Sequence, residues 1–293
     1  MRKIIGAFVL ATALAPAVAS AQLKIDERRE AASNARIEIE NQAGSIRVIG
    51  WDQQQVRVTG TLGRGAEGLD FDGSREHLEI EVESGSVVPF SVESDLEIHV
   101  PAGAHLEIEG FASQIEVSNA TGTVEASTVN GNIDVEGKAT EVSVETVNGS
   151  LDISGPARQV EADSVNGTVM IRGASGEVEA TTVNGTLTVE GTTFSRASLE
   201  TVNGSVRFVG ALARTATLSV ESVGGSVNLV LPKDVDADFS ISTFSGDIHN
   251  QFGPEAKRTS QWTSEKELRF STGSGGARVS VETLSGTVTL SNK

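Results

Sequence analysis

The chain has 293 residues, a formal charge of −17, no cysteine and 4% aromatic residues. Disulfides and cysteine-ligated metals are therefore excluded, and a strongly negative surface disfavours nucleic acid and anionic lipid as partners. After the N-terminus no stretch approaches the ~20 apolar residues that a membrane-spanning helix requires.

The first predicted segment is a signal peptide over residues 1–21. Arg2 and Lys3 precede a mostly apolar run, Ile4 to Leu14, and Ala19-Ser20-Ala21 offers the small residues of a cleavage site before Gln22. The run is short for a membrane anchor, Pro16 interrupts it, and no Cys follows to carry a lipid. Its removal moves the formal charge from −17 to −19, because Arg2 and Lys3 leave with it and no acid does. Residues 22–34 are polar, charged and aperiodic, and read as a flexible leader.

Residues 35–110 carry irregular β coils. Ile37 and Ile39, Ile46 and Val48, and Val56 and Val58 alternate with polar residues at the strand period. Leu78 to Val82 and Leu96 to Val100 follow, the second closed by Pro101. Residues 111–249 form a regular array. Val129-Asn130-Gly131 returns as Val147-Asn148-Gly149, Val165-Asn166-Gly167, Val183-Asn184-Gly185 and Val202-Asn203-Gly204, in steps of 18, 18, 18 and 19 residues. Degenerate copies extend the series at Phe111-Ala112-Ser113, Val223-Gly224-Gly225, Phe244-Ser245-Gly246 and Leu284-Ser285-Gly286. Residues 250–277 read as a loop or an inserted excursion containing Trp262, and residues 278–293 as the final coil and C-terminal end. Both Trp51 and Trp262 are expected to cover the open ends of the array.

Each unit holds two short strands separated by two turns, as in Ile133 and Val135, Gly137, then Val142 and Val144. Asn-Gly between strands is a hairpin signal, so an antiparallel meander is one solution. The two turns of a unit differ, however, and like strands always follow like turns. That pattern suits a parallel coil in which each strand bonds to its equivalent one unit away, at ~4.8 Å. The expected fold is all-β: a single-stranded parallel β-helix (β-solenoid) with ~18-residue coils. An aliphatic residue at every sixth position, needed for a hexapeptide helix, fails at Glu141 and Glu145, and no calcium-binding nonapeptide occurs. Asn130, Gly131, Asn148, Gly149, Asn166, Gly167, Asn184, Gly185, Asn203 and Gly204 form the expected structural turn ladder. Gly tolerates positive φ, Asn visits the left-handed region, and stacked Asn side chains can bond to one another. The preceding hydroxyl column, including Thr128, Thr146, Ser164 and Thr182, can face either way.

Asn41 to Ile46, the strand closing at Pro101, the Thr-Val-Asn-Gly coils, Val227 to Pro232 and Thr243 to Ile248 occur in an order that resembles the bacterial putative-adhesin family of β-strand-repeat domains. The resemblance spans residues 35–291. It implies a right-handed parallel β-helix in the cell envelope and brings no catalytic residues.

The residues themselves offer no catalytic set. Glu141 and Glu177 share one column, interrupted by Gln159; Glu145, Asp163, Glu200 and Glu221 lie near another, interrupted by Thr181. Basic residues beside them are sparse, so a solvated face is favoured over a site for acid–base chemistry or cations. His77, His99, His105 and His249 lack metal-ligand spacing. No cofactor is implied. The expectation is an exported, non-catalytic, adhesin-like binding or scaffold protein of the periplasm, cell surface or medium, with an envelope protein, glycan or surface as partner. The alternatives are a carbohydrate-active lyase or hydrolase, or a purely structural or stress-related periplasmic protein.

Overall fold

A computed structural model describes residues 23–63, 66–84, 93–259, 262 and 264–293; the signal peptide expected over residues 1–21 lies outside them. The described residues are all-β, without helix. The N-terminal part supplies β1 (Leu23–Glu30), β2 (Arg36–Trp51), β3 (Gln55–Leu62), β4 (Ala66–Gly73), β5 (His77–Ser84) and β6 (Glu93–Pro101). The regular part supplies β7 (His105–Ala120), β8 (Thr123–Asn130), β9 (Ile133–Gly137), β10 (Glu141–Asn148) and β11 (Leu151–Ser154). It continues through β12 (Gln159–Asn166), β13 (Val169–Asn184), β14 (Leu187–Asn203), β15 (Val206–Gly224) and β16 (Val227–Leu231). The chain closes with β17 (Ala237–Asn250), β18 (Lys257–Arg258), β19 (Lys266–Thr272) and β20 (Ala277–Asn292).

Through the regular part the pairing is parallel and in register. Val142 lies against Val124 on one side and Val160 on the other, and Ile153 against Val135 and Ile171. Equivalent residues therefore stack, and Ile133, Val135, Val142 and Val144 with their counterparts form one buried apolar column per position. No coil could bury its own apolar face; each is completed by its neighbours.

Both ends depart from sequential stacking. β2 lies between β7 on one side and β5 and β6 on the other, all parallel. At the far end β20 lies between β15 and β16 on one side and β17 on the other. The final coil in sequence, expected at residues 278–293, is thus the penultimate parallel layer in space. Antiparallel strands close the outside: β3 on β6, β4 on β5 and β1 on β3 at one end, β19 on β17 and β18 on β19 at the other.

Two expectations need revision. Residues 22–34 are not a flexible leader: Leu23 to Glu30 form β1, a full edge strand against β3. Arg57 donates from Nε and Nη2 to the Asp26 carboxylate, 2.9 Å each, and Ile25 packs against the core, so charge pairing substitutes for an apolar pattern. Within residues 250–277 the chain makes an antiparallel return along β17, and the Gly-Ser stretch wraps Asp236. The Ser274 hydroxyl, then the backbone N–H groups of Gly276 and Ser274, donate to the Asp236 carboxylate, holding it below its ordinary range. Trp262, expected to cover an open end, is instead 86% exposed. That end is filled by Phe239, stacked on Phe270 and Phe252 at centroid distances of 4.5 and 5.9 Å.

Candidate functional site

The Thr-Val-Asn-Gly corner is where backbone geometry fixes the surface. Alternation continues from Val142 and Val144 to Thr146, so the hydroxyl column faces inward: Thr128, Thr146, Ser164 and Thr182 are buried. Each donates to the turn carbonyl of the preceding coil, Thr146 to Gly131 O at 3.1 Å, Ser164 to Gly149 O at 3.2 Å and Thr182 to Gly167 O at 3.3 Å. The following Asn side chains bond along the axis. Asn148 Nδ2 donates to Asn130 Oδ1 at 3.0 Å, Asn166 to Asn148 at 3.0 Å, Asn184 to Asn166 at 2.9 Å and Asn203 to Asn184 at 3.2 Å.

Positive φ does not explain the turn residues. None of these Asn residues, and none of Gly131, Gly149, Gly167, Gly185 and Gly204, has φ in the left-handed region. The glycines are required by close approach: a Cβ on Gly149, Gly167, Gly185 or Gly204 would overlap the carbonyl oxygen of the glycine one coil before it. The ten turn residues singled out from sequence are thus brought together in two adjacent columns.

The Val of each triad points outward. Phe111, Val165, Val202, Val223, Leu284 and Phe244 are exposed, from 37% at Phe111 to 57% at Phe244. Because β20 is inserted between β15 and β17, Leu284 falls between Val223 and Phe244 and the apolar ridge runs on without interruption. Beside it, two positions before Val202, Val223 and Leu284, stand Glu200, Glu221 and Glu282 on adjacent coils. An open groove of about 440 Å³ follows this border, lined by Val202, Val223, Leu284, Phe244 and the three glutamates, with Glu265 at its end. Among the described residues, the salt bridges of the C-terminal half tie Asp152, Glu190, Asp247 and Glu267 to basic partners and none of these three carboxylates.

A second acidic face lies on the N-terminal coils, where Glu81, Glu40 and Glu109 stack in register. Burial first, then the charges of Glu81, Glu109, Glu38 and Glu79, raise the Glu40 carboxyl above its ordinary value of 4.5. A raised carboxyl destabilises the fold once ionised; the penalty is absent below the ordinary value and complete above the raised one. Glu40→Gln is therefore expected to increase the melting temperature at about pH 7 and to make little difference at about pH 3.5. Equal gains at both pH values, in a thermal melt followed by circular dichroism, would contradict this electrostatic account.

Nearby, Glu38, His77 and Glu79 bring ligand-type atoms within 4.8 Å of one another. Arg36 Nε already donates to Glu38 Oε1 at 2.8 Å and its Nη2 to Glu107, so the countercharge a cation would bring is supplied by the chain. His99 and His105 do not meet: His99 lies against the Trp51 ring, 5.0 Å between centroids, and His105 Nε2 is 3.5 Å from Glu125.

The family model described as Toastrack DUF4097 matches residues 34–291. No curated protein matches. Among solved structures, a putative adhesin from Parabacteroides distasonis is 14% identical, covering 92% of this chain and 97% of its own, with a TM-score of 0.42. A putative adhesin from Bacteroides fragilis is 12% identical over 92% and 97%, TM-score 0.35. A putative cell adhesion protein from Clostridium sporogenes is 10% identical over 92% and 100%, TM-score 0.20.

Proposed function

Because the chain belongs to the Toastrack DUF4097 family, a domain of unknown function with an all-β, solenoid-like fold, we propose that it is an exported, non-catalytic, adhesin-like binding or scaffold protein of the bacterial envelope. Its architecture is a single-stranded parallel β-helix, right-handed as the family resemblance implies, following a signal peptide over residues 1–21. Residues 35–110 begin the stack, residues 111–249 carry the repeats, and residues 278–293 return into the stack.

The observation that carries this reading is the outward apolar ridge through Val202, Val223, Leu284 and Phe244 on four adjacent layers. A solvated corner would hold polar residues at these positions. Instead, each of these four layers exposes Val, Leu or Phe, while Val129, Val147 and Val183 on earlier coils are half-buried. A contiguous exposed apolar strip rimmed by charge is the ordinary signature of a contact surface. Repetition along one axis suits multivalent contact, in which weak single contacts add.

The expected result is that the purified chain co-sediments with isolated bacterial envelopes. The triple variant Val202→Ser, Val223→Ser, Leu284→Ser should lose at least about tenfold in binding at an unchanged melting temperature. Absence of wild-type binding, or equal binding by the variant, would overturn the reading.

A further inference from the structure

We propose that the groove beside the ridge takes a cationic amphipathic helix of a partner polypeptide, one whose apolar stripe is flanked by Lys or Arg. The proposal deepens the adhesin-like reading and rests on the same ridge.

Three observations select this occupant. The groove pairs an apolar row, Val202, Val223, Leu284 and Phe244, with a carboxylate row, Glu200, Glu221 and Glu282, and no Lys or Arg lines it. Among the described residues the three carboxylates take no part in the salt bridges of this half, so their charge is available to a partner. A second copy would bring the same acidic row against its own, on a chain of formal charge −17. Anionic membranes and nucleic acid are disfavoured by the same sign.

Spacing then favours a helix over an extended segment. Successive ridge residues are one strand separation apart, ~4.8 Å. One face of a helix repeats every ~5.4 Å, so across three coil steps the two rows drift apart by only ~2 Å. An extended strand repeats on one face at ~6.8 Å and over the same three steps falls ~6 Å out of register, more than a whole coil. Apolar side chains of the helix would pack on the valines while its basic side chains reach the glutamates, as amphipathic helices do in apolar grooves.

The test uses the full chain after signal removal and three fluorescent 18-residue helical peptides. One carries a Leu stripe flanked by Lys; the second has Glu in place of Lys; the third has Ser in place of Leu. Fluorescence anisotropy at about 0.15 M salt, where exposed long-range attraction is screened, reads the affinities. The Leu–Lys peptide is expected to bind at least tenfold more tightly than either relative. The Val202→Ser, Val223→Ser, Leu284→Ser protein should weaken it at least tenfold, and so should Glu200→Gln, Glu221→Gln, Glu282→Gln. Equal binding of the Ser–Lys peptide would reduce the effect to charge adsorption and overturn the proposal. So would unchanged affinity in the apolar triple variant. If the peptide fails while the same variant still loses envelope binding, the adhesin-like reading survives and the helix as occupant does not.

Discussion

Gly167→Ala is expected to destabilise the protein by about 3 kcal/mol or more, whereas Gly224→Ala is expected to change stability by less than about 0.5 kcal/mol. Both glycines lie in corners of the same array, and neither has φ in the left-handed region. They differ in what a methyl group would meet. At Gly167 it would overlap the carbonyl oxygen of Gly149, which is backbone and cannot swing aside. Moving that carbonyl would also disturb the hydrogen bond it accepts from Ser164. At Gly224 the nearest atoms are Val202 O at 3.7 Å and Asn203 Oδ1 at 3.8 Å, ordinary contact distances. Urea denaturation of the two variants beside wild type separates the cases. If the Gly167 variant unfolds at the wild-type urea midpoint, close stacking of the turns is not what fixes glycine there.

Deleting residues 277–293 should abolish the cooperative fold of the C-terminal half rather than shorten the array by one coil. The segment contributes buried Ala277, Val279, Val281, Val288 and Leu290. At ~1.5–3 kcal/mol for each of the four larger side chains, the apolar loss alone is comparable with the whole stability of an ordinary domain. Its absence would also leave β15 and β16 without the neighbour on their outer side and β17 without its parallel ladder. In a sequentially stacked solenoid, removing the last repeat costs one interface; here it opens a gap inside the stack. The truncated chain should show an early, broad thermal transition and an enlarged hydrodynamic radius. A sharp melt within a few degrees of wild type would refute the inserted position of β20.

The repeat was legible because stacking rewards like residues at like positions, and 18-residue spacing states that directly. The orientation of the corner was legible as well, in retrospect. Counting by two from Val142 through Val144 reaches Thr146, so the hydroxyl must enter and Val147 must leave. Hydrophobicity argues the reverse, and it loses because the inward hydroxyl satisfies a turn carbonyl that would otherwise go unpaired. The reordered ends had a fainter signal. Ile37-Glu38-Ile39-Glu40, Leu78-Glu79-Ile80-Glu81 and Leu106-Glu107-Ile108-Glu109 share one pattern, and these three segments are stacked together. Likeness alone gives no order, so that β2 occupies the middle could not be deduced. The edge strand β1 left no apolar period at all, because both of its faces are largely solvated.

The placement of β20 also governs how the molecule bears load. A carboxyl-terminal strand at the rim of a stack would peel away one bond at a time when pulled. This one is gripped on both flanks, so tension applied at Lys293 must slide it past two neighbours together before anything yields.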